Sequence, residues 1–243
     1  LNKWLIIFLV KYKMKNRVLI MTGAASINRP PEETDNTIEE VLDATLPSKQ
    51  RYAKKYGYDL LSIRSFGTDK KYGFKDTDIG FLRALRAFEM LNYYDVVMWL
   101  DADSIITNDA YSINDFLLDD EHIFYASYDW FGKTSFSAGN FIVKNTKNTK
   151  EFLNVFFDIC KYFPEEQATL NTMYFNSHLF NKFKILDHKY LGSIPTLEMY
   201  KNWFKPLRPI VGTWEEGAFL LHMTAACNAG RLEILNNYFK KYL

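Results

Sequence analysis

Val96 to Leu100 (VVMWL) is wholly apolar, flanked by polar residues, and runs directly into Asp101-Ala102-Asp103. Such a run is expected of a central strand covered on both faces, so the chain needs a sheet with helices on each side. Val18–Thr22 is a second apolar run ending at Gly23, a buried strand followed by a turn. Pro30-Pro31 opens a helical stretch with Ile38, Val41, Leu42 and Leu46 at helical spacing, predicted to break at Pro47. A further helix over Ser48–Tyr56 should end at Gly57, and Tyr58–Ile63 reads as the next strand. Asp78–Asn92 places Phe81, Leu82, Leu85, Phe88 and Leu91 on one helical face. His122–Ser127 and Asn140–Lys144 read as strands, and Thr149–Tyr162 and Glu165–Phe175 as helices. The last third holds short strands and loops rich in Trp and Pro, then a helix from about Arg231. Alternating strands and helices predict a single α/β domain with helices on both sheet faces. Ligands in such sheets sit beyond the C-terminal strand ends.

Composition narrows the partners. At 243 residues, 48% apolar and 24% charged, the chain can bury a sizeable core and is not a disordered one. Thirty Lys+Arg against 29 Asp+Glu leave a net charge of +1, so no field draws in a nucleic-acid backbone. Cys160 and Cys227 are too few for a disulfide framework or a zinc cluster. The 17% aromatic share, with 16 Tyr and 20 Phe, points first to an aromatic core. Trp4–Val10 (WLIIFLV) is apolar but far shorter than the roughly 20 residues that span a bilayer, so no transmembrane span is expected. The positive charges Lys11, Lys13, Lys15 and Arg17 follow it rather than precede it, unlike a signal peptide. Residues 1–16 read as an N-terminal extension outside the fold, with an ordinary packed segment as the alternative, and residues 17–243 as the domain. The chain has no Asn-x-Ser/Thr acceptor. That favours a cytoplasmic or membrane-peripheral location over the lumen of the secretory pathway.

A bare Asp-x-Asp carries little information, and a second one, Asp76-Thr77-Asp78, lies in a polar loop segment. Context separates the two. Asp101 and Asp103 follow a buried strand, and on an extended backbone residues two apart point the same way. Both carboxylates then converge at the strand mouth, with Ala102 facing the opposite side. Close carboxylates raise one another's pKa unless a cation sits between them. Oxygen ligands in a partly open site suit Mg²⁺ or Mn²⁺. The plain alternative is a solvated acidic strand end.

WLDADSIITN, residues 99–108, resembles the Asp-x-Asp segment of GT-A glycosyltransferases, which use nucleotide-sugar donors. Gln50–Leu60 (QRYAKKYGYDL) resembles the helix-to-strand segment of glycosyltransferase family 34, the fungal α-galactosyl- and mannosyltransferases and plant xyloglucan xylosyltransferases. Ser137–Val143 (SAGNFIV), Glu165-Glu166-Gln167 and Leu221-His222-Met223-Thr224 resemble later segments of that family, in the same order. Family 8, the glycogenin-like enzymes, shares several of them. The chain departs from the family pattern at Glu165-Glu166, where the family has Asp-Asp, and at Ala225, where the family has Gly after His-x-Thr. Its Cys-rich ending is reduced to Cys227.

The resemblance implies a GT-A fold, a Rossmann-like mixed sheet, with residues 17–108 as nucleotide-binding half and 109–243 as the half for donor sugar and acceptor. It implies a metal site in which Asp103 binds the ion, Asp101 binds it or the donor ribose, and His222 is the distant ligand. A structural histidine is the bland reading of His222. The metal, Mn²⁺ or Mg²⁺, would neutralise the departing diphosphate. Thr22, Gly23, Ala24 and Ile63 are expected to meet the base and ribose, a small residue there allowing close approach. Arg83 matches a family arginine that faces the donor, with Arg86 one turn away and Arg231 as a weaker phosphate candidate. Ala102, Gly139 and Asn140 are further donor contacts. Glu166 and Gln167 would lie near the sugar and stabilise charge at the anomeric carbon, with double displacement through Glu166 a minor alternative. Tyr128 and Trp130 form a plausible acceptor platform, with Trp203 and Trp214 as partners, since flat aromatic faces pack on sugars; aromatics covering the sheet are the alternative.

The implied activity is retaining transfer from a nucleotide sugar, UDP by default and GDP open, to a glycan hydroxyl. An aspartyl-nucleophile phosphatase also places Asp-x-Asp after a strand, but usually the first strand, and wants Thr or Val where Ile105 stands. A non-catalytic sugar- or nucleotide-binding module on the same fold is the third reading.

Overall fold

A computed structural model describes residues 16–24, 37–75, 78–117, 119, 121–130, 132–176, 178–200, 203, 205–206 and 209–243. The apolar segment 4–10, Pro30-Pro31 and Asp76-Thr77 lie outside the described residues. In chain order the elements are β1 (Val18–Gly23), α1 (Ile38–Tyr56), β2 (Asp59–Ile63), α2 (Ile79–Met90), β3 (Val96–Asp101), β4 (Ser104–Ile106), β5 (Phe124–Asp129), β6 (Gly132–Phe136) and β7 (Asn140–Lys144). Then come α3 (Thr149–Ile159), α4 (Glu166–Asn176), β8 (Phe183–Leu186), α5 (His188–Leu191), α6 (Leu197–Tyr200), β9 (Leu220–His222) and α7 (Asn228–Ile234).

Seven strands form one mixed sheet in the order β2-β1-β3-β7-β5-β6, with β8 paired to β5. β1 runs parallel to both β2 and β3, while β7 is antiparallel to β3. Side chains alternate across the central strand. Val97 and Trp99 pack with Phe81, Leu85 and Phe88 of α2 and Phe152 and Phe156 of α3. Val96, Met98 and Leu100 pack on the other face with Tyr52 and Ala53 of α1. The five residues from Val96 to Leu100 are all at most 1% exposed, which is why their run shows no polar alternation. The result is the single α/β domain with helices on both faces that the sequence predicts. Among the described residues no helix is long and apolar enough to cross a membrane.

One boundary differs in an informative way. α1 is a single helix of 19 residues that runs through Pro47. An internal proline removes one backbone hydrogen bond and crowds the carbonyl four residues earlier, at a cost of about 3 kcal/mol. Pro47 and Asp43 both lie on the exposed side, where water can serve that carbonyl. On the opposite side Val41, Leu42, Thr45, Ser48 and Tyr52 are buried, and their packing holds the two segments as one helix. Thr37 and Glu40 form a capping box at its start, and Gly57 closes it in the left-handed conformation at φ 68°. β5 begins two residues later than expected, and the last helix begins at Asn228 rather than Arg231.

A second, two-stranded sheet pairs β4 with β9, antiparallel, with Ser104 opposite His222. It rests on Tyr200, Ile234, Leu235 and Phe239 through Ile105, Leu221 and Met223. This small sheet brings residues from the end of the chain to the mouth of β3.

Candidate active site

Asp101 is the last residue of β3, and Ala102-Asp103 form a turn before β4. The carboxylates do converge, but through that turn rather than along an extended strand. Ala102 points away from them, into a small apolar cluster with Ala24 and Leu42. His222 arrives by register: opposite Ser104 in the β4–β9 pair, it stands beside Asp103, whose carbonyl accepts a hydrogen bond from the Met223 N–H at 3.0 Å. Nε2 of His222 lies 3.2 Å from Asp103 Oδ1 and 3.7 Å from Asp101 Oδ2.

Gly139 explains how the group fits together. A methyl group there would sit 2.5 Å from His222 Cε1 and 2.8 Å from Asp101 Oδ2. Only glycine leaves that space. The Gly139 carbonyl and the Asn140 side-chain oxygen both accept from the Asp101 N–H, at 3.1 and 3.2 Å, and Asn140 Oδ1 also accepts from Ser104 Oγ at 2.7 Å. Asn140 is therefore buried within the turn's own scaffold, and its Nδ2 has no partner among the described residues.

The remaining carboxylate oxygens are taken by cations. Asp101 Oδ1 accepts from Trp99 Nε1 at 2.8 Å and from Arg83 Nη1 at 2.5 Å. Arg83 also donates through Nε, at 3.1 Å, and Nη2 to Glu166 Oε1. Asp103 Oδ2 lies 3.0 Å from Arg231 Nε, which donates to the Met223 carbonyl as well. Burial alone would raise the Asp103 pKa, but Arg231 and His222 outweigh it and hold the carboxyl below the usual range. Burial would likewise lower His222, yet the charge and hydrogen bond of Asp103, with Asp101 behind it, hold the imidazole above its ordinary value. The mutual elevation expected of two bare carboxylates is thus absent at Asp103, because cations of the chain itself already stand beside it.

His222 also lines a cavity of about 120 Å³ with Tyr128, Asp129, Trp130, Ser137, Gln167 and Thr224 among its walls. Gln167 accepts from the Ala138 N–H at 3.0 Å and donates to Asp129 Oδ2 at 3.4 Å. Tyr128, Trp130 and Gln167 therefore meet beside the acidic cluster. Thr22, Gly23 and Ala24 adjoin it through the register of Gly23 with Asp101, and Ile63 lies opposite Gly23 on the other side. The small residue at Gly23 serves the protein's own packing: a methyl there would meet the Ile63 carbonyl and the Phe66 ring, each at 2.9 Å.

Arg231 stays within the site, its Nε 3.0 Å from Asp103 Oδ2. Other candidates have different partners: Arg86 pairs with Glu89 and donates to the Phe66 carbonyl. Trp203 packs against Gly230 of α7, and Trp214 donates to Thr107 Oγ1 with its ring edge-on to Phe239. Neither lines the cavity, because both fill the core under the small sheet.

Sequence reasoning missed two residues. Lys49 is fully buried under the turn, donating to Thr45 Oγ1 at 2.9 Å and toward the Ala102 carbonyl at 3.5 Å. Burial pushes its pKa down to about 7 against the pull of Asp103 and Asp101. Its spacing from Thr45 and Tyr52, on the apolar face of α1, was the available signal. Gly80, in the first turn of α2, faces Glu166; a glycine inside a helix is itself a sign of close approach.

The family model described as "Protein of unknown function, DUF273" matches residues 50–204, well over half of the chain. No curated protein matches the chain. Among solved structures, a glycosyltransferase involved in the glycosylation of the major capsid of PBCV-1 aligns with a TM-score of 0.61 and 18% identity, covering 90% of this chain and 98% of that one. The glycosyltransferase GlyE of Streptococcus pneumoniae TIGR4 aligns with a TM-score of 0.52 and 17% identity over 93% of this chain and 64% of its own. At these identities the likeness speaks for the fold, which is that of glycosyltransferases.

Proposed function

The chain belongs to the DUF273 family, and we propose that it is a metal-dependent glycosyltransferase. It moves a hexose or pentose from a nucleotide-diphosphate sugar, UDP-linked by preference, to a hydroxyl of a glycan acceptor, with retention of configuration as in family 34 or family 8. The observation that carries this reading is the convergence of Asp101, Asp103 and His222, whose ligand atoms lie within 4.8 Å of one another at the strand ends of a glycosyltransferase fold. Two carboxylates and an imidazole suit Mn²⁺ or Mg²⁺, and Gly139 keeps the space between them open. The ion supplies Lewis-acid neutralisation of the departing diphosphate.

The chain's own groups do the rest. The strand ends at Thr22–Ala24 border the nucleotide half, residues 17–108. Residues 109–243 supply the sugar side, where the Gln167 amide and the Tyr128 and Trp130 rings border the cavity next to His222. Their hydrogen-bonding and flat faces suit a sugar ring. The aspartyl-phosphatase reading draws no support from the fold, which is that of the glycosyltransferases it aligns with.

The test is a panel of nucleotide sugars with and without Mn²⁺, scored by release of free nucleotide. We expect Mn²⁺-dependent release, reduced at least about a hundredfold in Asp103→Asn while circular dichroism is unchanged. Release that ignores both Mn²⁺ and the substitution overturns the proposal.

A further inference from the structure

We propose that Glu166 is a positioning residue: through Arg83 it sets how tightly the Asp101–Asp103–His222 cluster holds its ion, and Gly80 keeps open the slot its carboxylate occupies. The inference rests on the metal site proposed above and gives Glu166 a different task from contact with the donor sugar.

Three observations carry it. Glu166 is 3% exposed, so its carboxylate is sealed from the cavity side and from water. Its Oε1 takes two donors from one guanidinium, Arg83 Nε and Nη2. Its Oε2 lies where a side chain at position 80 would begin, since a methyl on Gly80 would come within 1.6 Å of it and 2.6 Å of Cδ. The carboxylate is thus held against one face of α2, between the backbone at Gly80 and the Arg83 guanidinium.

Arg83 carries the effect onward. Its third contact is Asp101 Oδ1, which Trp99 also holds, leaving Oδ2 as the oxygen toward His222. The guanidinium charge is therefore shared between two carboxylates. Without Glu166 it would fall on Asp101 alone. Asp101 would then be a poorer ligand, and the neighbourhood would be one charge more positive toward a divalent cation. The extra methylene of Glu relative to Asp lets the carboxylate reach Arg83 over Gly80, so the glycine and the longer acid read as a matched pair.

The test is titration of the whole protein with Mn²⁺ alone, without nucleotide, followed by calorimetry. Glu166→Gln keeps the volume and one acceptor for Arg83 but removes the charge. Its Mn²⁺ dissociation constant should rise about tenfold to a hundredfold. Gly80→Ala, which touches no ligand, should do the same by displacing the carboxylate. Glu165→Gln, at the exposed neighbouring acid, should leave the affinity within twofold. Turnover of Glu166→Gln should return as Mn²⁺ is raised. Wild-type protein that binds Mn²⁺ together with a Glu166→Gln variant of equal affinity overturns this inference and leaves the metal site standing. Equal affinity with turnover abolished at every Mn²⁺ concentration overturns it in favour of a reacting Glu166. Wild-type protein that binds no Mn²⁺ overturns the metal site and the inference with it.

Discussion

The Asp101–Asp103 turn is bordered by two helices that each bury a cation beside it, and they do so in opposite ways. On the α2 side, Arg83 touches Asp101 and Glu166 directly. Burial would lower its pKa, but the two carboxylates outweigh that and hold it above the ordinary value. On the α1 side, the contacts of Lys49 among the described residues are neutral oxygens, those of Thr45 and Ala102, and burial wins, bringing it to about 7. The carboxylates pull on both cations, yet only contact decides the outcome. A charge-assisted contact restores what desolvation removes, whereas the same field felt through the turn does not.

The largest expected effect follows from that contrast. Arg83→Met strands two carboxylates, one buried and one half-buried, and should cost about 3–5 kcal/mol in chemical denaturation at pH 7. Lys49→Met removes a cation with no charged contact, fills the same volume, and should be neutral or stabilising by about 1–2 kcal/mol. If both substitutions cost alike, the two sides are not built differently and the comparison fails.

A smaller effect sharpens it through pH. Lys49 falls from 10.5 in the unfolded chain to about 7 in the fold. Between those values the unfolded chain binds more protons, so this group makes stability rise with pH across that window. The advantage of Lys49→Met should therefore shrink from pH 7 to pH 10, and a constant gap would show Lys49 to be ordinary. The metal cluster runs the other way at its histidine. His222 is raised above 6.5, so its stabilising contribution is complete below that pH and disappears as pH rises through its folded value. Asp103 is lowered below 3.8, so its contribution is complete above that pH and is lost as pH falls through the folded value. Because an ion needs the neutral imidazole, Mn²⁺ affinity measured by calorimetry should increase with pH above 6.5.

How much of this could be read from the sequence depends on the range of the interaction. The Val96–Leu100 run declares a twice-covered strand because burial acts on each residue separately. Gly57 announced the end of α1 for an equally local reason. Pro47 misled because the local cost was set against packing by residues on the far side of the helix. His222 carried no local signal at all. Its position depends on β4 and β9, strands of three residues each, too short to show a period, and only the ordered resemblance singled it out. Trp203 and Trp214 have the same chemistry as Trp130, and which of them meets the cavity is decided by tertiary packing. Lys49 and Gly80 are invisible as functional residues until the segments they face, at Ala102 and Glu166, are brought against them.

The smallest expected effect tests whether the loop behind Asp103 is held by charge, as on the α2 side, or by its own backbone. Ala225 has φ 65°, the only positive φ outside glycine among the described residues, and it stands where the resemblance expects glycine. An alanine there costs about 1 kcal/mol, while glycine returns part of that through the freedom of the unfolded chain. Ala225→Gly should therefore gain about 0.5 kcal/mol, or roughly 1–2 °C in melting temperature for a domain of this size. Arg231 fixes the loop independently, bridging the Met223 carbonyl and Asp103, so Mn²⁺ affinity should stay within twofold. A fall in affinity on relaxing Ala225 would mean that the backbone, and not the ion pair, sets the distance between Asp103 and His222. The two-sided account of the turn would then have to admit a third wall held by strain.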